Sequence, residues 1–176
     1  MLAKALMPKS NCVFNSTHTC CSSFVLTMEV FRPAWEYASL VHQSSPVWLV
    51  LGSTVGLDGM LQADEIEELD RTDHFRMYYE RDREIMRNTE PLLGPLCATH
   101  QFELALIDGN EYTGWAEFEI VDMVCKSRFI ALHDTGTLKT RMIERYLAEH
   151  PERYRLIARG TDDGVYGWSV YARQID

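Results

Sequence analysis

Two short apolar segments, one followed directly by an aspartate and the other by a histidine and an aspartate, constrain the fold of this chain more than any other feature. Residues 102–107 end at Asp108, and residues 129–132 end at His133 and Asp134. Each segment has the length and composition of a buried strand, and glycine or another turn-forming residue follows each aspartate. The sequence therefore predicts two strands whose last residues place carboxylates at the edge of a sheet.

A helix is predicted between these two strands. Residues 113–125 carry apolar side chains at steps of three and four, namely Trp115, Phe118, Val121 and Cys125. This spacing is typical of an amphipathic helix. A strand, a helix and a second strand form a βαβ unit, whose strands are parallel and whose connection is right-handed. Asp108 and Asp134 should then share the carboxyl edge of the sheet, where open α/β sheets bind ligands.

A third apolar segment, residues 47–51, is predicted to be a central parallel strand, and a glycine-rich segment, residues 52–59, follows it. Gly52 and Gly56 would let the backbone approach a ligand, and the next helix could present its N-terminus to that ligand. The glycine spacing is not a specific motif, so a plain turn after a strand explains it as well.

Further elements are predicted along the whole chain. They are a short helix over residues 31–41, a strand over 74–79, a helix over 83–93, a helix over 138–147 and a hairpin formed by 154–158 and 168–172. Residues 1–45 mix polar and scattered apolar residues and are predicted to be an N-terminal arm. Residues 46–176 are predicted to form one α/β domain.

The second half of the chain resembles a known family. The succession Asp108-Gly109-Asn110-Glu111-Tyr112, a helix, His133-Asp134, a helix and a terminal hairpin is similar to the second half of class I S-adenosylmethionine-dependent methyltransferases. More narrowly, it is similar to the branch with D-G-(D/N)-(H/E)-x-Y after the fourth strand and H-D after the fifth. The resemblance covers roughly residues 102–173 and is weaker in the first half. Residue 51 is leucine, whereas the family usually has an acidic residue just ahead of the glycine loop, and residues 60–101 are few for the elements that the fold places there.

The resemblance implies a fold, a cofactor and a set of binding residues. The fold is Rossmann-like α/β, a mostly parallel sheet flanked by helices and closed by an antiparallel hairpin. The cofactor is S-adenosylmethionine, and Gly52, Gly56 and Asp108 are the residues expected to bind it. Several members of the family also use a divalent cation to hold and acidify the hydroxyl group of the substrate.

The two aspartates raise an electrostatic question of their own. Neighbouring carboxylates repel, so one is protonated, a cation lies between them or water separates them. Asp108, Asp134 and the neutral oxygen of Asn110 would suit Mg²⁺ or another divalent cation. His133 is a candidate nitrogen ligand or proton acceptor, and His133 and Asp134 are the candidate catalytic residues. The alternative is that both aspartates only cap helices, a preference worth about 1 kcal/mol. Lys139 is predicted to be an exposed helix residue.

Charge and composition exclude several classes of partner. The net charge is −9 with no cluster of Lys and Arg, which argues against nucleic acid as the partner. No apolar stretch approaches the roughly 20 residues that span a bilayer, so no membrane partner is expected. The five cysteines are odd in number and lack a C-x-x-C pattern, which favours free thiols and a cytoplasmic location.

The predicted function is methyl transfer from S-adenosylmethionine to an oxygen of a small-molecule substrate, assisted by a divalent cation. The alternative is a truncated or degenerate methyltransferase-like domain that acts as a non-catalytic binding or interaction module. A nicotinamide dinucleotide protein is a third, weaker interpretation, because the glycine spacing is not G-x-G-x-x-G.

Overall fold

A computed structural model describes residues 3–6, 25–43, 47–67, 73–162 and 166–174 of the chain. Within these ranges seven strands form one sheet. The strands are β1 (Ala3–Leu6), β2 (Val25–Glu29), β3 (Val47–Leu51), β4 (Leu104–Ile107), β5 (Phe129–His133), β6 (Tyr154–Asp162) and β7 (Tyr166–Arg173). The helices are α1 (Arg32–Val41), α2 (Asp73–Arg87), α3 (Leu93–Thr99), α4 (Gly114–Ile120) and α5 (Leu138–Glu149). None of the helices described is long and apolar enough to cross a membrane.

The sheet is mixed. Its order is β3-β2-β1-β4-β5-β7-β6. The β2–β3 and β4–β5 pairs are parallel, and the four other pairs are antiparallel. An α/β fold that closes with an antiparallel hairpin is therefore confirmed, whereas the mostly parallel, Rossmann-like arrangement is not shown. The difference arises chiefly at β1, which runs antiparallel to both of its neighbours.

The βαβ unit predicted from the two aspartate-ended segments is present. β4 and β5 are parallel in a register that pairs Ile107 with Leu132, so Asp108 and Asp134 follow at the same edge of the sheet. The intervening helix α4 continues as a π-helical turn at Val121–Cys125. Phe118 is buried in the core and Trp115 packs against it, as the periodicity predicts.

The first part of the chain differs from the prediction. Within the predicted arm, residues 1–45, the structure places β1, β2 and α1, and β2 pairs with β3 of the predicted domain. A boundary at residue 45 therefore does not separate two structural units. β3 lies at the edge of the described sheet rather than at its centre, and Trp48 on it is exposed.

Two local predictions are wrong. Residues 74–79, predicted as a strand from alternating apolar residues, belong to α2, whose buried side chains Tyr79 and Met86 recur at helical spacing. Cys97 and Cys125, predicted as free thiols, form a disulfide between α3 and the π-helical turn, with their Cα atoms 4.5 Å apart. The three other cysteines, at positions 12, 20 and 21, lie outside the described residues.

Buried residues alternate along β4 and β5, so the hydrophobic core lies against one face of these strands. One part contains Ile107, Ile130 and Leu132 of the strands together with Ile143 and Leu147 of α5. A smaller cluster fills the space between α2, the segment after β3 and the start of α4; its buried members are Val55, Met60, Ile66, Tyr79, Met86 and Tyr112. These two clusters hold α2, α4 and α5 around the carboxyl ends of β4 and β5.

Candidate functional site

The two predicted aspartates meet at a buried lysine. The Nζ atom of Lys139 lies 2.8 Å from Oδ1 of Asp108 and 2.6 Å from Oδ2 of Asp134, and the lysine side chain is only 4% exposed. An ammonium group therefore joins the carboxylates of two neighbouring strands. Of the three arrangements that relieve carboxylate repulsion, the structure has a cation between the carboxylates, and the protein itself supplies it. The prediction of Lys139 as an exposed residue is wrong.

The position of Lys139 follows from how α5 packs. Thr140 is fully buried, and its hydroxyl donates to the carbonyl oxygen of His133 at 2.8 Å, which fixes the first turn of α5 to the end of β5. On the other side, a Cβ added to Gly114 would lie 1.8 Å from the carbonyl oxygen of Lys139. α4 and α5 can approach this closely only because residue 114 is glycine.

The charges around Lys139 favour its protonated form. Burial alone would lower the pKa of Lys139, but its hydrogen bonds with Asp108 and Asp134 outweigh burial, so the pKa is raised above its ordinary value. An ammonium group removed from water in this way needs both carboxylates as partners, because an unpaired buried charge is strongly destabilising.

His133 completes the cluster at the solvent side. Its Nδ1 atom lies 3.2 Å from Oδ1 of Asp108 and 3.2 Å from Oδ1 of Asp134, and the side chain is 48% exposed. If Nδ1 carries the proton, it donates to these carboxylates and Nε2 is left as an acceptor. Asp134 itself adopts a left-handed backbone conformation, with φ of 58°, which aspartate tolerates better than most residues.

The cluster has donor atoms of the type that a divalent cation binds. Ligand atoms of Asp108, His133 and Asp134 all lie within 4.8 Å of one another. The ammonium group of Lys139, however, already binds both carboxylates. A divalent cation at the same carboxylates would have to compete with Lys139.

Asn110, the third predicted metal ligand, has a different role. Its Oδ1 atom accepts hydrogen bonds from the backbone N–H of Tyr112 at 2.9 Å and from the hydroxyl of Thr113 at 3.0 Å. This arrangement forms the turn that leads into α4. The amide oxygen that would bind a metal is thus already used inside the protein.

The alternative that Asp108 and Asp134 only cap helices can be compared with the contacts at the start of α5. The N–H of Lys139, in the first turn of α5, donates to Oε2 of Glu111 at 3.1 Å. The residue that precedes α5 is Thr137, whose side chain makes no capping hydrogen bond. Glu111 therefore provides the capping contact, while Asp108 and Asp134 direct their carboxylates to Lys139.

A cavity of about 220 Å³ opens at the same edge of the sheet, beside the ends of β2, β3 and β4. Gly52, one of the predicted cofactor-binding residues, lines it together with Gly109 and Asn110. Gly56 and Asp108 are not among its lining residues. The remaining residues that line it are Met28, Glu29, Val30, Phe31, Ser53, Thr54, Arg81, Asp82, Ile85, Met86 and Glu117.

Close contacts with neighbouring side chains explain why residues 52 and 56 are glycines. A Cβ on Gly52 would lie 2.3 Å from Cδ1 of Leu92, and a Cβ on Gly56 would lie 2.5 Å from Oδ1 of Asp58. Gly52 therefore permits the close packing of Leu92 against the loop after β3. Because a larger residue at position 52 would displace Leu92, its effect on ligand binding could not be separated from its effect on packing.

Two buried acids line the cavity that were not predicted from the sequence. Glu29, at the end of β2, is 2% exposed, and its Oε1 atom accepts a hydrogen bond from the N–H of Phe31. Glu117, on α4, is also 2% exposed and accepts hydrogen bonds from the hydroxyls of Thr54 and Thr113. A signal for Glu117 was present, because it lies four residues before Val121 on the apolar face of the predicted helix.

No protein-family model, curated protein or solved structure matches this chain.

Proposed function

We propose that this protein transfers a methyl group from S-adenosylmethionine to a hydroxyl oxygen of a small molecule at the carboxyl edge of its sheet. The observation that carries the proposal is the presence of a cavity of about 220 Å³ and of a histidine with two aspartates at the same edge of the sheet. Gly109 and Asn110 line the cavity, and Asp108, which precedes them, contacts His133.

The architecture supports the proposal in part. The order β3-β2-β1-β4-β5 matches the order of strands in doubly wound nucleotide-binding sheets, in which ligands bind at the carboxyl ends of the strands. Although β1 is reversed, the pairings make β2, β3, β4, β5 and β6 run in one direction. A Rossmann-like arrangement in which β1 is reversed and β7 closes the sheet as part of the antiparallel hairpin is therefore the interpretation that we propose.

In this proposal, the cluster of Asp108, His133, Asp134 and Lys139 accepts the proton of the substrate hydroxyl. S-adenosylmethionine, when bound, would supply the electrophilic methyl group. Asp108 and Asp134 hold the Nδ1 side of His133, which leaves Nε2 to accept the proton of the acceptor hydroxyl. Lys139 fixes both carboxylates in place and neutralises part of their charge. The catalytic contribution of the protein is then to orient the two reactants and to receive one proton.

A divalent cation remains a prediction from the sequence rather than a part of this mechanism. The donors of Asp108, His133 and Asp134 suit Mg²⁺ or Mn²⁺, but the Lys139 ammonium group already binds both carboxylates. Removal of the Lys139 ammonium group tests whether it and a divalent cation compete for the two carboxylates.

The charge of the cavity bears on the nicotinamide interpretation. Three acids, Glu29, Asp82 and Glu117, line the cavity with one arginine, Arg81. Arg81 already donates to Asp82 at 2.7 Å. A pyrophosphate group would meet repulsion from the carboxylates, because phosphate sites require unpaired donors and positive charge. A sulfonium cofactor, which is positively charged at sulfur, avoids this repulsion.

A non-catalytic binding module is the second candidate, and two observations favour it. The glycine-containing loop follows an edge strand, and the cavity of about 220 Å³ is smaller than most ligand pockets, which occupy roughly 300–1,000 Å³. Under this interpretation the fold retains the cavity but does not hold a complete cofactor.

Thermal melting with S-adenosylhomocysteine tests the proposal, because a ligand that binds only the folded protein raises the melting temperature. We expect a rise in the parent protein at millimolar ligand. Ile85→Trp should abolish the rise, because the larger indole would fill space in the cavity that Ile85 lines. Ile157→Trp, at an exposed position of β6, is the matched control and should retain it.

Measurement of methyl transfer by a His133 variant tests the catalytic part of the proposal. His133→Gln should leave the S-adenosylhomocysteine shift intact and abolish methyl transfer to hydroxyl-bearing acceptors. If S-adenosylhomocysteine produces no shift in the parent protein, methyl transfer is rejected and the binding-module interpretation takes its place.

A further inference from the structure

Glu117 is a buried acid with an unused oxygen atom. Its Oε1 atom accepts hydrogen bonds from the Thr54 hydroxyl at 2.6 Å and the Thr113 hydroxyl at 2.9 Å. Its Oε2 atom is buried and has no hydrogen-bond partner among the described residues. A carboxylate oxygen removed from water without a partner is costly, and native proteins rarely retain such a group without a use for it.

The surroundings of Glu117 preserve space for this carboxylate. A Cβ on Gly109 would lie 2.3 Å from Oε1 and 2.6 Å from Oε2 of Glu117, so a larger residue at position 109 would have to displace the carboxylate. Gly109, Glu117 and Thr54 all line the cavity described above. The unused oxygen therefore belongs to a residue that faces space large enough for part of a small molecule.

The charges of the cavity indicate what that molecule carries. Burial raises the pKa of Glu117, although hydrogen bonds from Thr54 and Thr113 and the charge of Lys139 act in the opposite direction. The hydrogen bonds that Lys139 makes through Nζ go to Asp108 and Asp134, and Arg81 donates to Asp82. Neither neighbouring cation is thus hydrogen-bonded to Oε2. A cationic donor on a ligand would supply the missing hydrogen bond to this oxygen.

We propose that Oε2 of Glu117 receives the ammonium group of a ligand in this cavity, which for S-adenosylmethionine is the α-ammonium group of its methionine part. The inference rests on the proposed function and adds to it a cofactor-binding residue that selects for positive charge. Thr54 and Thr113 then orient the carboxylate through Oε1, and Gly109 leaves room for the carboxylate beside the cavity.

Calorimetric titration with two probes tests the inference. One probe is S-adenosylhomocysteine, and the other is its deaminated analogue, in which hydrogen replaces the amino group. A charge-assisted hydrogen bond contributes about 1.5–3 kcal/mol, so the parent protein should bind the amino compound roughly tenfold to a hundredfold more tightly. Glu117→Gln should lose this preference, mainly through weaker binding of the amino compound.

Controls separate a specific contact from a general effect. Glu119→Gln removes an exposed acid from the same helix and should keep the preference of the parent protein. The comparison of the two probes on the unmodified protein does not depend on whether Glu117→Gln folds. Equal affinity of the parent protein for both probes, or a preference that survives in Glu117→Gln, would overturn the inference while leaving the proposed cofactor in place. Binding of neither probe would overturn the proposed function and this inference with it.

Discussion

Lys139 offers the sharpest test of the candidate site, because two interpretations of the aspartates predict different outcomes when it is removed. In Lys139→Met the apolar stem is kept and the ammonium group is lost. Asp108 and Asp134 would then face each other without the cation that lies 2.8 and 2.6 Å from their oxygens. We expect the variant to be strongly destabilised and, in addition, to gain a binding site for a divalent cation.

The size of the loss follows from burial. Removing one partner of a buried ion pair costs about 3–5 kcal/mol. The side chains of Asp108 and Asp134 are 27% and 15% exposed, so water can partly replace the ammonium group. We therefore expect a loss near the lower end, about 3 kcal/mol. For a chain of this size that corresponds to a fall in melting temperature of roughly 6–12 °C.

Urea unfolding and thermal melting at pH 7, each with and without Mn²⁺, measure both effects. If the freed carboxylates and His133 bind Mn²⁺ with a Kd tenfold below the added concentration, the ion raises the free energy of unfolding of the variant by about 1.4 kcal/mol. Arg145→Met, at an exposed position of the same helix, is the control and should change stability by less than about 0.5 kcal/mol.

Two results would refute this reasoning. A Lys139→Met protein within about 1 kcal/mol of the parent would show that the ion pairs contribute little, as surface pairs do. A parent protein that Mn²⁺ stabilises as much as the variant would show that the metal and the ammonium group do not compete, and the predicted metal site would then stand.

Three further predictions concern neighbouring positions. Asp134→Asn should destabilise the protein by about 1–3 kcal/mol in urea unfolding, because it removes a partner of the buried ammonium group, whereas carboxylate repulsion alone predicts no loss. Gly114→Ala should cost about 3 kcal/mol because its Cβ would meet a backbone oxygen at 1.8 Å, whereas Gly94→Ala, with nothing within 4 Å, should be neutral or stabilising. Burial raises the pKa of Glu117, so its protonated form is favoured by folding. The contribution of Glu117 to the free energy of unfolding is therefore fully present below the pKa of glutamate in the unfolded chain, about 4.3, and is lost as pH rises through the folded-state pKa. Glu117→Gln should therefore raise the melting temperature more at pH 8 than at pH 4.5, and the Glu119→Gln control should show no such difference.

The βαβ unit could be predicted because its signals are local. Apolar segments of strand length, turn residues after each aspartate and helical spacing of Trp115 and Phe118 all lie within about thirty consecutive residues, and hydrophobic periodicity is the strongest signal in a sequence. The first half could not be predicted in this way. The place of Val47–Leu51 at the sheet edge depends on its pairing with β2 alone, which no local pattern encodes.

The burial of Lys139 could have been inferred from its spacing. Lys139, Ile143 and Leu147 lie four residues apart on α5, and all three are buried. A lysine on the apolar face of a helix that follows a strand ending in an aspartate indicates a buried ion pair. Residues 74–79 show the reverse error: the alternation of Phe75, Met77 and Tyr79 predicts a strand, but in α2 only Tyr79 of the three is buried, and Phe75 and Met77 are exposed.

The start of α4 connects the two halves of the carboxyl edge. Gly114 allows Lys139 to approach, so that its ammonium group lies between the aspartates of β4 and β5. One turn later, Glu117 reaches across to Thr54 in the loop after β3. The same short helix therefore positions a paired cation beside His133 and an acid with an unpaired oxygen in the cavity. A cationic cofactor would be held at the acid while the acceptor hydroxyl meets the histidine, which is the separation of roles that methyl transfer between two bound molecules requires.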